Sequence, residues 1–284
     1  MKVIPFKIPH TGKDAIHVQV DKVPHFYNHL HQHEEIQLTL IIKSEGTMIA
    51  GDHVGRFTEG DVYVIGSNQP HVLRNDASYF RRKKQAESIT VFFSENTLGK
   101  AFWQAPEIKS FQSFFRNSNG GFKITGRKKE ALKTKLVQIA DADGFDKLLL
   151  FIEIIKLLSN KKDLKPLSKI TMQRSIKTFD GNRLNNILEF IFKESHRSIK
   201  LNEIASVANL TPEAFCKYFK TRTRKTYVHF LNEIRINNAC QLLMNEDIPV
   251  TAVCYRVGFN NLSNFNKVFK KITGKTPKTY KQIS

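Results

Sequence analysis

Hydrophobic and polar residues change rhythm along the chain. Over the first 95 residues the period is two. Ile36, Leu38, Leu40 and Ile42 alternate with other side chains, which predicts a strand with one buried face. Val62-Tyr63-Val64-Ile65 and Ile89-Thr90-Val91-Phe92-Phe93 are β-branched and aromatic, and predict two more strands. Turn-forming residues separate such runs: Ser44-Glu45-Gly46, Gly51-Asp52, Glu59-Gly60-Asp61 and Gly66-Ser67-Asn68. Short strands punctuated every 8–12 residues or so predict a small barrel or sandwich.

Beyond residue 96 the period becomes helical. Leu132, Leu136 and Ile139 share one helical stripe. The run from Phe145 to Leu158 predicts a helix that is apolar around most of its circumference. Such a helix needs cover on several sides. Packing on the β region and pairing with a second copy of itself would both supply it. A polar stretch follows, with Lys161-Lys162-Asp163, Pro166 and Asp180-Gly181-Asn182, and reads as a linker. Leu184, Ile187, Leu188, Ile191 and Phe192 then mark another amphipathic helix.

The last hundred residues contain a repeat. Phe215-Cys216-Lys217-Tyr218-Phe219-Lys220 matches Phe265-Asn266-Lys267-Val268-Phe269-Lys270, and each run continues to a Thr-x-Lys-Thr stretch, Thr223 to Thr226 and Thr273 to Thr276. Upstream, Leu201-x-x-Ile204-Ala205 matches Val250-x-x-Val253-Cys254. Each copy is a short apolar helix, a turn and a second helix, the grammar of a helix-turn-helix. The small residues Ala205 and Cys254 allow close crossing. The turns call for residues tolerant of positive φ, supplied by Asn209 and Gly258. Thr211 before Pro212, and Asn260 or Asn261, are helix-start signals. Phe215, Tyr218 and Phe219, and likewise Phe265, Val268 and Phe269, are expected to face the core. Residues Thr226 to Met244 read as one helix joining the units, with Tyr227, Phe230, Leu231, Ile234 and Leu242 on its buried side. Nineteen residues at ~1.5 Å each give about 28 Å.

Composition narrows the function. The 284 residues suffice for about two domains, and 40% apolar with 25% charged residues excludes disordered and fibrous classes. The formal charge of +19 implies a polyanionic partner, nucleic acid before a membrane surface. The density is higher at the end: residues 175–284 hold 18 basic and 8 acidic side chains. Charge does not separate DNA from RNA. No apolar run approaches the roughly 20 residues of a membrane span, and the start has no signal-peptide core. Cys216, Cys240 and Cys254 form no CxxC, so a reducing, cytoplasmic location is expected, without disulfide or zinc framework.

The segment Val257-Gly258-Phe259-Asn260-Asn261-Leu262-Ser263-Asn264-Phe265 through Thr276-Pro277-Lys278-Thr279-Tyr280 closely resembles the signature of the AraC/XylS family of bacterial transcription regulators. The resemblance covers about residues 182–283. It implies two helix-turn-helix units on one long helix, bound to promoter DNA. By position it puts base-reading residues at Glu213, Cys216 and Lys217, and at Leu262, Ser263, Asn266 and Lys267. It puts backbone contacts at Thr211, Lys220, Asn261, Lys270 and Thr276. Lys217 and Lys267 can reach guanine O6 and N7, Asn266 can reach adenine, and Leu262 a thymine methyl. Two departures stand out: Arg224 where the family has glycine, and Leu262 where it has glutamine.

Tyr27-Asn28-His29-Leu30-His31-Gln32-His33-Glu34-Glu35, with Gly60-Asp61 and Pro70-His71, resembles the cupin-type sensor domain found in this family. In metal cupins His31, His33 and His71 would be ligands beside a carboxylate, but that position holds Gln37, a poor ligand for catalytic iron or manganese. His31, His33, Gln37 and His71 are expected at an effector pocket with no metal, cofactor or catalytic residue; lining the pocket mouth or bonding to loops, binding a divalent metal, and recognising the effector directly are the alternative roles. The whole reads as an α+β protein: a cupin-like sensor and dimerisation domain over 1–160, a linker over 161–181, and an AraC-type DNA-binding domain over 182–284. Its expected partners are promoter DNA, a small-molecule effector and a second copy of the chain, with RNA polymerase a further candidate and no membrane. The competing readings are a metal-dependent cupin enzyme with a basic accessory domain, and an RNA or nonspecific anion binder.

Overall fold

The computed structural model describes residues 4–5, 15–81, 84–160, 162–168 and 178–283. The chain divides into two compact units, residues 4–176 and 177–284.

The first unit is built on β1 (Ile4–Pro5), β2 (His17–Val23), β3 (His31–Gln32), β4 (Ile36–Lys43), β5 (Gly46–Ala50), β6 (His53–Phe57), β7 (Val62–Ile65), β8 (His71–Asn75), β9 (Ala86–Phe93), β10 (Phe122–Ile124) and β11 (Leu164–Pro166). Its helices are α1 (Ala77–Arg81), α2 (Lys100–Gln104), α3 (Lys109–Asn117), α4 (Gly126–Asp141) and α5 (Gly144–Ser159). The three strands predicted above are β4, β7 and β9. The predicted turns at Ser44-Glu45 and Gly51-Asp52 separate β4, β5 and β6. In place of one closed barrel, the described strands form two sheets, ordered β1-β3-β8-β5-β6 and β11-β10-β7-β4-β9-β2. Leu164–Pro166, inside the stretch read as a linker, pairs antiparallel with β10.

The alternation in β4 sorts the second sheet into two faces. Ile36, Leu38 and Leu40 join Val62, Val64, Ile89, Val91 and Phe93 on the face covered by helices. Leu132, Leu136 and Ile139 of α4 are buried there, as are Phe151, Ile154, Ile155 and Leu158 of α5. Trp103, Phe111 and Phe115 close this core, with Trp103 and Phe111 stacked at 5.4 Å between centroids. The circumferentially apolar α5 is thus covered on one side. Its other side leaves Phe145 at 71%, Leu149 at 45% and Ile152 at 37% exposure, beside Val137 of α4. The opposite face of the sheet is apolar at one end, where Ile41, Tyr63 and Ile65 meet Met48, Ala50 and Phe57. At the other end it is polar, and a cavity lies there.

The second unit is all helical: α6 (Thr178–Glu194), α7 (Leu201–Val207), α8 (Pro212–Thr223), α9 (Tyr227–Asn245), α10 (Val250–Arg256), α11 (Leu262–Thr273) and α12 (Pro277–Ile283). The joining helix is α9, one residue later at each end than predicted. Tyr227, Phe230, Leu231 and Ile234 are buried as expected, but at the far end Leu243 is buried and Leu242 only half buried. Arg235 ties α9 to the end of α6, donating from Nε to the Ser195 carbonyl at 2.9 Å and from Nη2 to that of Arg197 at 2.7 Å.

Candidate nucleic-acid interface and ligand pocket

The two second helices of the repeat, α8 and α11, are built alike. Thr211 caps α8, its Oγ1 accepting from Ala214 N at 3.3 Å, and Pro212 holds the first helical position. Asn261, rather than Asn260, caps α11, its Oδ1 accepting from Asn264 N at 2.9 Å. Phe215 and Phe219, and Phe265 and Phe269, are fully buried. Replacing any of them by alanine removes an aromatic anchor, a loss of about 3–5 kcal/mol. Tyr218 and Val268, expected in the core, are half buried. Residues 211–220 and 261–270 follow the same order of exposed, half-buried and buried positions throughout.

That register decides which side chains the helices offer. Glu213, Cys216, Lys217 and Lys220 are exposed on α8, and Ser263, Asn266, Lys267 and Lys270 on α11. Leu262 differs from its neighbours: it is half buried and packs on the core around Phe265 and Phe269. Asn264 is exposed one position after Ser263, a candidate that the sequence reading passed over. Thr211, Asn261 and Thr276 are exposed caps at the starts of α8, α11 and α12, where helix amides and the helix dipole favour an anion. The turns place Asn209 and Gly258 at φ 52° and 91°. Arg224 takes the left-handed cap conformation that Gly274 takes in the second copy, φ 59° against 77°. Arg224 thus replaces the family's glycine without a change of backbone geometry.

The described part of the chain from Leu201 to its end carries the repeat and the basic excess together. A helix-turn-helix domain model matches residues 204–283. The chain is 24% identical over 277 residues to the HTH-type transcriptional regulator YdeC of Bacillus subtilis, covering 91% of this chain and 87% of that one. Residues 204–283 are thus an AraC-type helix-turn-helix domain. A second relative is the HTH-type transcriptional activator RhaR of an Enterobacter species, 23% identical over 89% of this chain and 87% of that one. The DNA-binding domain of AdpA, solved with a target DNA, matches 36% of this chain and 91% of its own at 22% identity, with a TM-score of 0.34. The relatives matched along most of their length are named as regulators of transcription or of an operon.

The first unit holds a cavity of about 450 Å³. His31, His33, Gln37 and His71 all line it, as the sequence reading expected. His31 and His71 face each other across the β3–β8 pair, their rings 4.2 Å apart. Gln37 Oε1 lies 3.0 Å from Nε2 of both His33 and His71, and its amide nitrogen 2.8 Å from Thr39 Oγ1. Burial lowers the pKa of all three histidines: His31 to about 4, His71 well below its usual value, and His33 in the same direction. Sequence reasoning missed Gln19 and Asp21 on β2 and Ser88 and Thr90 on β9. They pair across the sheet as Gln19 with Thr90 and Asp21 with Ser88. The available signal was the polar alternation Gln19-x-Asp21.

The cavity is a poor metal site. His31, His33 and His71 bring one ring nitrogen each within 4.8 Å of the others. A tetrahedral ion about 2.0–2.1 Å from each nitrogen needs closer spacing, and here the Gln37 amide occupies the space between two of them. The Gly60-Asp61 element is structural: Gly60 has φ 78°, and Asp61 Oδ2 accepts from Lys123 Nζ at 2.7 Å and Tyr63 OH at 2.9 Å. None of the three cysteines is in a disulfide; Cys216 is exposed, and Cys240 and Cys254 are buried. Among the described residues, no helix is long and apolar enough to cross a membrane.

Proposed function

We propose that the regulator reads promoter DNA with α8 and α11 in consecutive major grooves. The matched exposure register of the two helices carries this reading. Lys217 and Lys267 sit at equivalent exposed positions, and α9 joins the two units as a stiff rod of about 28 Å. Consecutive grooves on one side of B-DNA recur every 34 Å or so, and a modest bend of the duplex makes up the difference. Glu213, Cys216, Lys217, Ser263, Asn266 and Lys267 read bases, with Leu262 limited to a methyl contact by its half-buried position. Thr211, Lys220, Asn261, Lys270 and Thr276 hold phosphates. RNA polymerase is a further partner of the promoter complex.

We further infer that residues 1–160 form a cupin-like sensor and dimerisation domain, that 182–284 form the DNA-binding domain, and that the protein acts in the cytoplasm. The cavity at His31, His33, Gln37 and His71 receives a small-molecule effector. Phe145, Leu149 and Ile152 recur at helical spacing on the open side of α5, and this stripe supports pairing of two copies. Fluorescence anisotropy of the full chain on a duplex enriched from a random pool, against scrambled duplexes at physiological salt, tests the reading. A preference on the order of 4 kcal/mol or more is expected. Equal affinities would replace it with nonspecific anion binding.

A further inference from the structure

The chemical class of the effector follows from the atoms that face the cavity and the charge they carry. Each histidine of the trio sets its Nδ1 against a backbone carbonyl: His31 against His29 at 2.9 Å, His33 against Glu35 at 2.9 Å, and His71 against Gln69 at 2.8 Å. A carbonyl only accepts, so Nδ1 holds the proton on every ring. The rings are neutral, so each Nε2 carries a lone pair. Nε2 of His33 and of His71 meet the same terminal atom of Gln37. Two lone pairs on one atom require a double donor there. The amide that satisfies both rings points its nitrogen at them, one hydrogen to each. Its oxygen then receives the Thr39 hydroxyl, and Thr39 Oγ1 accepts from Thr90 at 2.9 Å. The circuit is closed, and none of these three rings faces the cavity as an imidazolium.

The rest of the wall is acceptor-rich. Asp21 Oδ1 accepts from Gln19 Nε2 at 2.8 Å and its Oδ2 from Ser88 Oγ at 3.1 Å, both neutral donors. Among the described lining residues there is no lysine or arginine, Asp21 is the one carboxylate, and His25 and His29 complete the set of histidines. Each carboxylate oxygen can take a second donor. A carboxylate or phosphate entering here would meet the like charge of Asp21, with no lysine or arginine among the described lining residues to offset it. A ligand bearing hydroxyl or ammonium hydrogens meets acceptors instead, and Tyr27 and Phe92 provide apolar flanks. The volume lies toward the small end of ligand sites, which run from about 300 to 1,000 Å³.

We propose that the cavity takes a small, donor-rich molecule without an anionic group, a polyol or a primary amine, anchored at Asp21. The proposal rests on the effector reading above. The full chain is incubated with an equimolar mixture of polyols, primary amines, and the carboxylate and phosphate forms of the same carbon skeletons. Retained compounds are quantified by mass spectrometry after ultrafiltration. The polyol or the amine arm is expected at least tenfold enriched over its acid counterparts, and the arm retained identifies the source. Asp21→Asn, on a half-buried strand, and Thr90→Val each reduce retention about tenfold while the melting temperature stays near wild type. Enrichment of the acids or phosphates through the same residues overturns the proposal and leaves the effector reading standing. Retention of nothing overturns both. Stoichiometric uptake of zinc ion alone, lost in His71→Ala, overturns the assignment in favour of a metal.

Discussion

Asn209 and Gly258 hold the same left-handed backbone at equivalent turns of the two helix-turn-helix units, but only Gly258 has no room for a side chain. A Cβ at Gly258 would lie 2.4 Å from the Ser195 carbonyl oxygen. Gly258→Ala therefore combines backbone strain with a clash against α6, and is expected to lower stability by more than about 2 kcal/mol. Asn209→Gly is expected to change it by less than about 1 kcal/mol. Urea unfolding followed by far-ultraviolet circular dichroism separates the two; equal, small effects would contradict the assigned geometry.

Lys267 and Lys270 lie one turn apart on α11, both exposed. Lys270→Ala should weaken binding to every duplex and reduce the dependence of affinity on salt by about one counterion. Lys267→Ala should cost roughly 1–3 kcal/mol on the preferred duplex and relax preference at one base position. Anisotropy titrations at several salt concentrations check both. An unchanged salt slope refutes the phosphate role of Lys270, and a uniform loss across sequences moves Lys267 to the backbone.

The buried histidines make the first unit less stable in acid. His31 titrates near 4 when folded and about 6.5 when unfolded, so the unfolded chain binds more protons between those values. His33 and His71 shift in the same direction, through burial. Their stabilising contribution is complete above about pH 6.5 and is lost as pH falls toward 4. The loss is expected to be on the order of 2 kcal/mol from His31 alone between pH 7 and 4.5, with His33 and His71 adding to it in the same direction. Trp103, the single tryptophan, lies in the core of this unit and reports its unfolding. A flat stability profile across that window would contradict the neutral trio.

The open stripe of α5 sets a prediction for assembly. Leu149→Lys places a charge in the centre of the Phe145, Leu149 and Ile152 face without touching the buried side of the helix. Sedimentation should show a dimer for the native chain and at least a tenfold weaker self-association for the variant. A native monomer at tens of micromolar, or an unaffected dimer, excludes this face.

The DNA-binding unit was legible because its information is local and doubled. A helix period, a cap and a positive-φ turn all sit within 25 residues of one another, and the second copy confirms the first. Leu242 and Leu243 show the limit: one residue of phase at the end of α9 decides which is buried, and periodicity alone did not fix it. In the first unit the alternation of Ile36, Leu38 and Leu40 named one face correctly, and His31, His33, Gln37 and His71 were brought together as expected. Asp21 and Ser88 were not foreseen, because their meeting depends on strand pairing across 67 residues. The two-sheet arrangement and the pairing of β11 with β10 are also long-range, and neither leaves a local mark.

The most direct measurement is the layout of the preferred site. Selection of the full chain on a random duplex pool, followed by sequencing, should return two conserved blocks centred about 10–11 base pairs apart. Repeating it with Lys217→Ala should relax one block and with Lys267→Ala the other. A single block, or variants that weaken all sequences alike, would contradict two helices reading neighbouring grooves.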